Sequence, residues 1–184
     1  MERTEREIRA RAQRVYELGR LRFALKVLVY VVPMVLLAAW SNATPTAWNV
    51  AIGVALGVLT VGLLWRGEAH GRAVSTGLVS GAIPLLVPLI MQATGHCCIA
   101  GACSTLCLPL CTGAGIAAGI MVGMRAASER QAPGRFALSA IGVAALTGAL
   151  GCTGMGLAAV AGMVAALALV SAPIAVVGMR LRRP

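Results

Sequence analysis

Six long apolar runs, joined by short connections that are alternately uncharged and charged, constrain this chain more than any other feature of its sequence. A run of about 20 apolar residues is long enough to cross the hydrocarbon core of a bilayer as a helix. Inside lipid, a single spanning segment satisfies its backbone polar groups by forming a helix. The sequence therefore predicts an all-α integral membrane protein with six transmembrane helices. The predicted spans are approximately residues 23–40, 47–65, 73–94, 106–124, 136–152 and 157–179.

The 16 basic residues lie on one side of this six-span arrangement. They occur in the N-terminal segment and its junction with the first span, in connections 66–72 and 125–135, and at the C-terminus. Connections 41–46, 94–105 and 153–156 carry no charged residue. Because basic connections stay in the cytoplasm, the pattern predicts that both termini are cytoplasmic. We expect a multi-pass protein of the bacterial inner (plasma) membrane.

The composition agrees with a membrane protein and excludes a soluble nucleic-acid binder. Charged residues make up 12% of the chain, against roughly a quarter in soluble domains. The net charge of +10 is explained by the topology, and no basic surface with interleaved aromatic residues is visible. Aromatic residues are only 4% and glycines number 22, so helices must pack by close backbone approach.

Small residues spaced four apart mark the helix faces that are predicted to make such contacts. They pack against a neighbouring helix of the same chain or against a second copy in a homo-oligomer. The predicted faces are Gly53 and Gly57 in the second span, Gly115, Gly119 and Gly123 in the fourth, and Ala158, Gly162 and Ala166 in the sixth.

Residues 1–22 form a separate cytoplasmic segment ahead of the transmembrane domain, residues 23–184. Glutamate and arginine recur four residues apart with the acid first, which favours a helix. Ile8, Ala12, Val15 and Leu18 form a thin apolar stripe on that helix. The sequence leaves three roles open: a basic amphipathic helix on the anionic leaflet, a solvated extension that enforces topology, or a helix that docks a cytoplasmic partner.

Five of the 6 cysteines lie between residues 96 and 111, and the sixth ends the fifth span. All of them fall on the predicted extracytoplasmic side, where disulfides form and persist in bacteria. The candidate ligands of a metal site are His96, Cys97, Cys98, Cys103, Cys107, Cys111 and Cys152.

Three interpretations of these cysteines fit the sequence. They form structural disulfides, whose connectivity the sequence does not reveal; they bind a soft metal ion such as Cu, Zn or Hg; or the vicinal pair Cys97–Cys98 exchanges disulfides. Met91 and Met155 offer thioether ligands nearby. The spacing matches no zinc-ribbon pattern. Pro109 favours the first turn of a helix. The fourth helix therefore begins there, with Cys103 and Cys107 in a loop, or it begins earlier, with Cys103, Cys107 and Cys111 on one stripe.

Asp, Glu, Lys, Arg and His are absent from spans two to six, although ion- and proton-coupled transporters usually carry such residues there. Glu68 and His70 form the one acid–base pair, and a solvated connection explains them better than catalysis does. No catalytic motif indicates an enzyme. The sequence favours a membrane protein that binds or passes a soft metal ion through the cysteine cluster. The alternatives are a structural or regulatory membrane subunit with bridged cysteines, or a thiol–disulfide exchange protein.

Overall fold

A computed structural model describes most of the chain as a bundle of helices. It describes residues 11, 15, 18, 19, 21, 22, 24–41, 46–93 and 104–181, and only the backbone at positions 41, 46, 68, 92, 93 and 104–107. Within these residues there is no strand. The main helices are α1 (Leu28–Ser41), α2 (Thr46–Arg66), α3 (Glu68–Ala93), α4 (Ser104–Ser128), α5 (Pro133–Cys152) and α6 (Leu157–Leu181), and a 3-10 turn, Thr153–Met155, joins the last two.

The helices have the length and composition of membrane spans. Within the described residues, five are apolar over at least 18 residues, and a sixth, Ala24–Trp40, is apolar but shorter. The prediction of an α-helical, multi-pass membrane protein is confirmed. The five longer candidate spans are Ala47–Arg66, Ala69–Met91, Leu108–Ser128, Pro133–Met155 and Leu157–Leu181.

The predicted N-terminal helix lies mostly outside the described residues. Residues 11, 15, 18, 19, 21 and 22 are helical. Val15 and Leu18, two members of the predicted apolar stripe, are exposed. Whether this stripe meets lipid or a partner stays a prediction.

Two connections predicted as charged loops are much shorter than expected. Of residues 66–72, only Gly67 is not helical, with φ at 69°. Its N–H bonds to the carbonyls of Leu63 and Leu64 at 3.1 Å, a glycine ending that caps α2 and lets α3 begin at once. The loop predicted for residues 125–135 is also reduced, since α4 continues to Ser128 and α5 begins at Pro133. The predicted turn at residues 153–156 is confirmed, with Gly156 at φ 103°.

Pro109 does not begin α4. The helix starts five residues earlier, at Ser104, and Pro109 lies inside it. The alternative that leaves Cys103 and Cys107 in a loop is therefore wrong for Cys107, and Cys103 lies outside the described residues. A proline this close to the N-terminus removes one backbone hydrogen bond, and the helix runs through it. Cys107 and Cys111 are thus one turn apart on the same helix.

Two pairs of parallel helices form the core. α3 packs along α5, where a Cβ atom at Gly77 or Gly81 would meet the Ala140 or Ala144 carbonyl oxygen at 2.8 or 2.9 Å. α4 packs along α6 through the predicted glycine face of the fourth span, which is confirmed as a helix contact. Its members, Gly115, Gly119 and Gly123, meet Met163, Leu167 and Ile174 among others.

The two ends of the bundle have different side-chain contacts. At the arginine end, defined by Arg66, Arg72 and Arg125, Arg72 Nη2 lies 3.1 Å from Glu129 Oε1. At the cysteine end, defined by Cys111 and Cys152, Thr153 Oγ1 donates to Asn49 Oδ1 at 3.3 Å. The sorting of charges to one end agrees with the sequence. Which end faces the cytoplasm stays a prediction.

Candidate sulfur site

Two of the predicted ligands, Cys111 and Cys152, come into direct contact at the cysteine end. Their Sγ atoms lie 3.0 Å apart, although 41 residues separate them in the chain. Cys111 Sγ also lies 3.6 Å from Met155 Sδ, the thioether that the sequence suggested. Cys111 is 1% exposed and Cys152 is fully buried. Three sulfur atoms thus lie together, two of them buried and that of Met155 on a partly buried side chain.

The start of α4, the end of α5 and the turn after α5 position these sulfur atoms. Cys152 is the last residue of α5, and Cys111 lies about two turns into α4. The 3-10 turn after Cys152 reverses the chain and returns Met155 over the pair. Glycine at position 151 lets α5 approach α3, because a Cβ there would lie 2.8 Å from both Leu85 Cα and the Pro84 carbonyl oxygen.

A backbone carbonyl completes the site. Cys152 Sγ donates to the Pro84 carbonyl oxygen at 3.7 Å, within reach for a thiol. In a helix, the carbonyl of residue 84 accepts from the N–H of residue 88. That residue is Pro88, which has no N–H. Pro88 therefore leaves the Pro84 oxygen free to hold the Cys152 thiol.

Met163 is a fourth sulfur residue that the sequence analysis did not identify. It is fully buried in the same cluster as Cys111, Cys152 and Ala159. Its side chain crosses to α5, where a Cβ at Gly148 would meet Met163 Sδ at 3.2 Å. Its backbone is level with Gly115, one turn beyond Cys111 toward the arginine end. The sequence showed only a methionine six residues into an apolar helix, and such a methionine cannot be distinguished from one that merely packs in the core.

Toward the arginine end, the helices below Met163 close on one another. Ser139 and Ser171 are buried polar side chains in this region, and they lie beside an apolar cluster. That cluster comprises Ala69, Ala73, Ala118, Val122, Ala126, Phe136, Ala140, Ala144, Leu167 and Ala175.

The Cys111–Cys152 distance is intermediate between two chemical states. A disulfide joins sulfur atoms at about 2.05 Å. Two sulfurs bound to one tetrahedral ion at about 2.3 Å lie roughly 3.8 Å apart. From 3.0 Å, either state requires a displacement of about 1 Å or less. The geometry fits a pair of thiols that can form either a disulfide or a metal site.

The other predicted ligands are not tested by the structure. His96, Cys97, Cys98 and Cys103 lie outside the described residues, and of Cys107 only the helical backbone is described. Among the residues that are described, no group of three or more His, Cys, Asp or Glu side chains is close enough to hold a metal ion. A metal site built from described residues must therefore use thioethers beside the two thiols.

His70, which the sequence paired with Glu68, is engaged in packing at the arginine end. Ser139 Oγ donates to the Arg135 carbonyl at 2.8 Å. The 2.7 Å contact between His70 Nδ1 and Ser139 Oγ is then a hydrogen bond donated by the ring nitrogen. The ring thereby ties α3 to α5. The side chain of Glu68 lies outside the described residues.

The chain matches no family model, no curated protein and no solved structure.

Proposed function

We propose that this protein is a six-span bacterial inner-membrane protein that binds a soft metal ion at its cysteine end. Both termini are cytoplasmic in this proposal, and the cysteine end faces the periplasm. The basic residues of the arginine end support this orientation. The buried Cys111 and Cys152 and the partly buried Met155 are the inner ligands in this proposal, and the remaining cysteines and His96 extend the cluster outward.

One observation carries the proposal: two thiols and a thioether share a buried site, at 3.0 Å between Cys111 Sγ and Cys152 Sγ and 3.6 Å between Cys111 Sγ and Met155 Sδ. Soft sulfur ligands select soft ions over hard cations such as Mg²⁺ and Ca²⁺. Burial adds to the affinity, because water does not compete for the ion in a closed site. The contact joins α4 to α5, so that an ion would also hold the two helix pairs together.

Binding is better supported than passage through the membrane. A permeating ion needs polar or ionisable groups along its path. Beyond Met163, the described helices meet mostly through alanine, glycine and other apolar residues, and the buried polar side chains Ser139 and Ser171 there carry only uncharged hydroxyls. The sulfur site itself lies near one end of the bundle.

The proposal is tested on protein purified without oxygen, by metal analysis together with peptide-level thiol mapping. We expect bound soft metal, and after chelation and denaturation without reductant we expect both Cys111 and Cys152 to react with an alkylating reagent. Joint replacement of Cys111 and Cys152 by Ser should lower the bound metal. The matched control replaces Gly113, which has nothing within 4 Å of its Cβ position, by Ser. Metal-free wild-type protein would overturn the proposal.

A second candidate function is supported by the short distance between the two thiols. An interhelical disulfide between Cys111 and Cys152 would make the protein a structural or regulatory membrane subunit. Such a bond stabilises by roughly 2–4 kcal/mol. The same mapping distinguishes it: the two cysteines would then escape alkylation until reductant is added, and reductant would lower the melting temperature.

The proposed topology has its own test. Reporter fusions that are active only outside the cytoplasm are expected to be active after Ser41, Gly101 and Thr153, and inactive after Gly67, Ser128 and Pro184. An inactive fusion after Gly101 would contradict six spans and the periplasmic position of the cysteines.

A further inference from the structure

We propose that the ion held by Cys111, Cys152 and Met155 is monovalent, of the Cu(I) and Ag(I) class. This inference rests on the proposed function and narrows its ion. Zn(II) fits this site less well because of two features of the described residues: the type of ligand and the number of ligands.

The ligand type favours a soft monovalent ion. Met155 adds a neutral thioether 3.6 Å from Cys111 Sγ, and Met163 places a second thioether in the same buried cluster. Thioethers are ligands of Cu(I), whereas structural zinc sites use thiolates and imidazoles.

The number of ligands also argues against zinc. Structural Zn(II) takes four ligands in tetrahedral geometry. The described neighbours of Cys111 and Cys152 supply no imidazole and no carboxylate. With Cys111 only 1% exposed, little room is left for water as a fourth ligand. Three sulfur atoms without water suit the lower coordination number of Cu(I).

The test uses the full chain with Cys97, Cys98, Cys103 and Cys107 replaced by Ser, so that Cys111 and Cys152 are its remaining thiols. Cu(I) and Zn(II) are each titrated in competition with a coloured chelator, and Ag(I) serves as a stable substitute for Cu(I). We expect about one equivalent of Cu(I) or Ag(I) per chain and no tightly held Zn(II). Met155→Leu, which preserves volume, is expected to weaken Cu(I) binding by at least about tenfold.

The matched control is Met124→Leu, because Met124 is 62% exposed on α4 at the other end of the bundle, and its Cu(I) affinity should not change. Binding of Zn(II) at about one equivalent, equally in Met155→Leu, would overturn the inference while leaving thiol-based metal binding intact. Retention of every ion after Cys111→Ser and Cys152→Ser would instead overturn the proposed function.

Size-exclusion chromatography checks that the four-serine chain runs as a single species. If it does not, the comparison is made in the unsubstituted chain. There, in competition with the chelator, Met155→Leu should weaken the binding of one Ag(I) by at least about tenfold relative to Met124→Leu. Equal Ag(I) affinity of both variants would overturn the inference.

Discussion

The contact between α4 and α6 and the contact between α1 and α2 use the same glycine spacing but are built differently. Between α4 and α6, backbone meets backbone: a Cβ at Gly115 would lie 2.5 Å from the Met163 carbonyl oxygen. Between α1 and α2, a Cβ at Gly53 would meet the γ carbons of Val35 at 2.7 and 2.9 Å. A valine side chain can rotate away, whereas a helix backbone cannot. Glycine spacing therefore predicts that helices meet, but not how firmly.

The surroundings of the α1–α2 contact are open, whereas those of the α4–α6 contact are buried. Between α1 and α2, an apolar cavity of about 620 Å³ opens beside Val32, Leu36 and Val54, and these side chains are exposed. Between α4 and α6, Ala118, Met163 and Leu167 are buried. The sulfur site lies at the end of the closed contact, where a displacement of α6 would be transmitted to Met155 and Met163. Substitutions at the α4–α6 contact should therefore destabilise the protein more than those at the α1–α2 contact, and they should also affect the sulfur site.

The largest effect is expected from Gly119→Leu in the closed contact. Even a Cβ at this position would lie 2.9 Å from the Leu167 carbonyl oxygen, and the remaining leucine atoms have nowhere to go. Overpacking of this kind costs about 3 kcal/mol or more. We expect a much lower melting temperature in detergent, or failure to assemble. The control is Ile120→Leu, since Ile120 is 41% exposed. Equal tolerance of both changes would show that the contact is not rigid.

A smaller loss is expected from Gly115→Ala, which adds a single methyl group. That group would press on the Met163 backbone, so α6 must move by a few tenths of an ångström at a cost of about 1–3 kcal/mol. Because Met163 belongs to the sulfur cluster, metal binding should weaken together with stability. Gly113→Ala, two residues away and without a neighbour within 4 Å, should leave both unchanged or slightly raise stability. A loss of stability without any loss of bound metal would show that the α4–α6 contact does not influence metal binding at the sulfur site.

The smallest effect is expected from Gly53→Ala in the open contact. Rotation of Val35 costs about 0.5–1.5 kcal/mol, and alanine recovers up to about 1 kcal/mol of helix propensity. The two nearly cancel, so the melting temperature should stay close to that of the unsubstituted protein. Gly62→Ala, with nothing within 4 Å, serves as the reference for propensity alone. A large destabilisation by Gly53→Ala would mean that α1 and α2 are held as firmly as α4 and α6.

The glycine contacts also show how far the sequence predicts the fold. Gly115, Gly119 and Gly123 were predicted to face a helix, and they do. Gly77 and Gly81 have the same spacing and an equally close contact with α5, yet they were overlooked among the residues of "STGLVSGAIP". The sequence shows that Gly77 and Gly81 form a face without side chains, but it does not show which helix packs there. Their contact residues on α5 lie more than 60 positions further along the chain. The lengths of the charged connections were overestimated because Gly67 alone is enough to end one helix and begin the next.

The candidate site was predictable in its location but not in its pairing. The alternation of charged and uncharged connections placed Cys111 and Cys152 at one end of the bundle, where the structure has them. Their contact depends on how deeply α4 extends past α5, which is a property of packing. Met155 was suggested by its place in the turn after Cys152. Pro88 was a readable signal, since a proline inside a helix leaves the carbonyl four residues earlier, here that of residue 84, without its usual N–H donor.

That carbonyl has a consequence for mutational surveys of the site. Every amino acid carries a backbone oxygen, so replacing Pro84 itself would not delete the acceptor that holds the Cys152 thiol. The acceptor is controlled from position 88, where any residue other than proline would supply an N–H to compete for it. An alanine scan of the side chains around the sulfur atoms would therefore miss this ligand-orienting group. Pro88 would register as a binding determinant although it supplies no ligand atom itself.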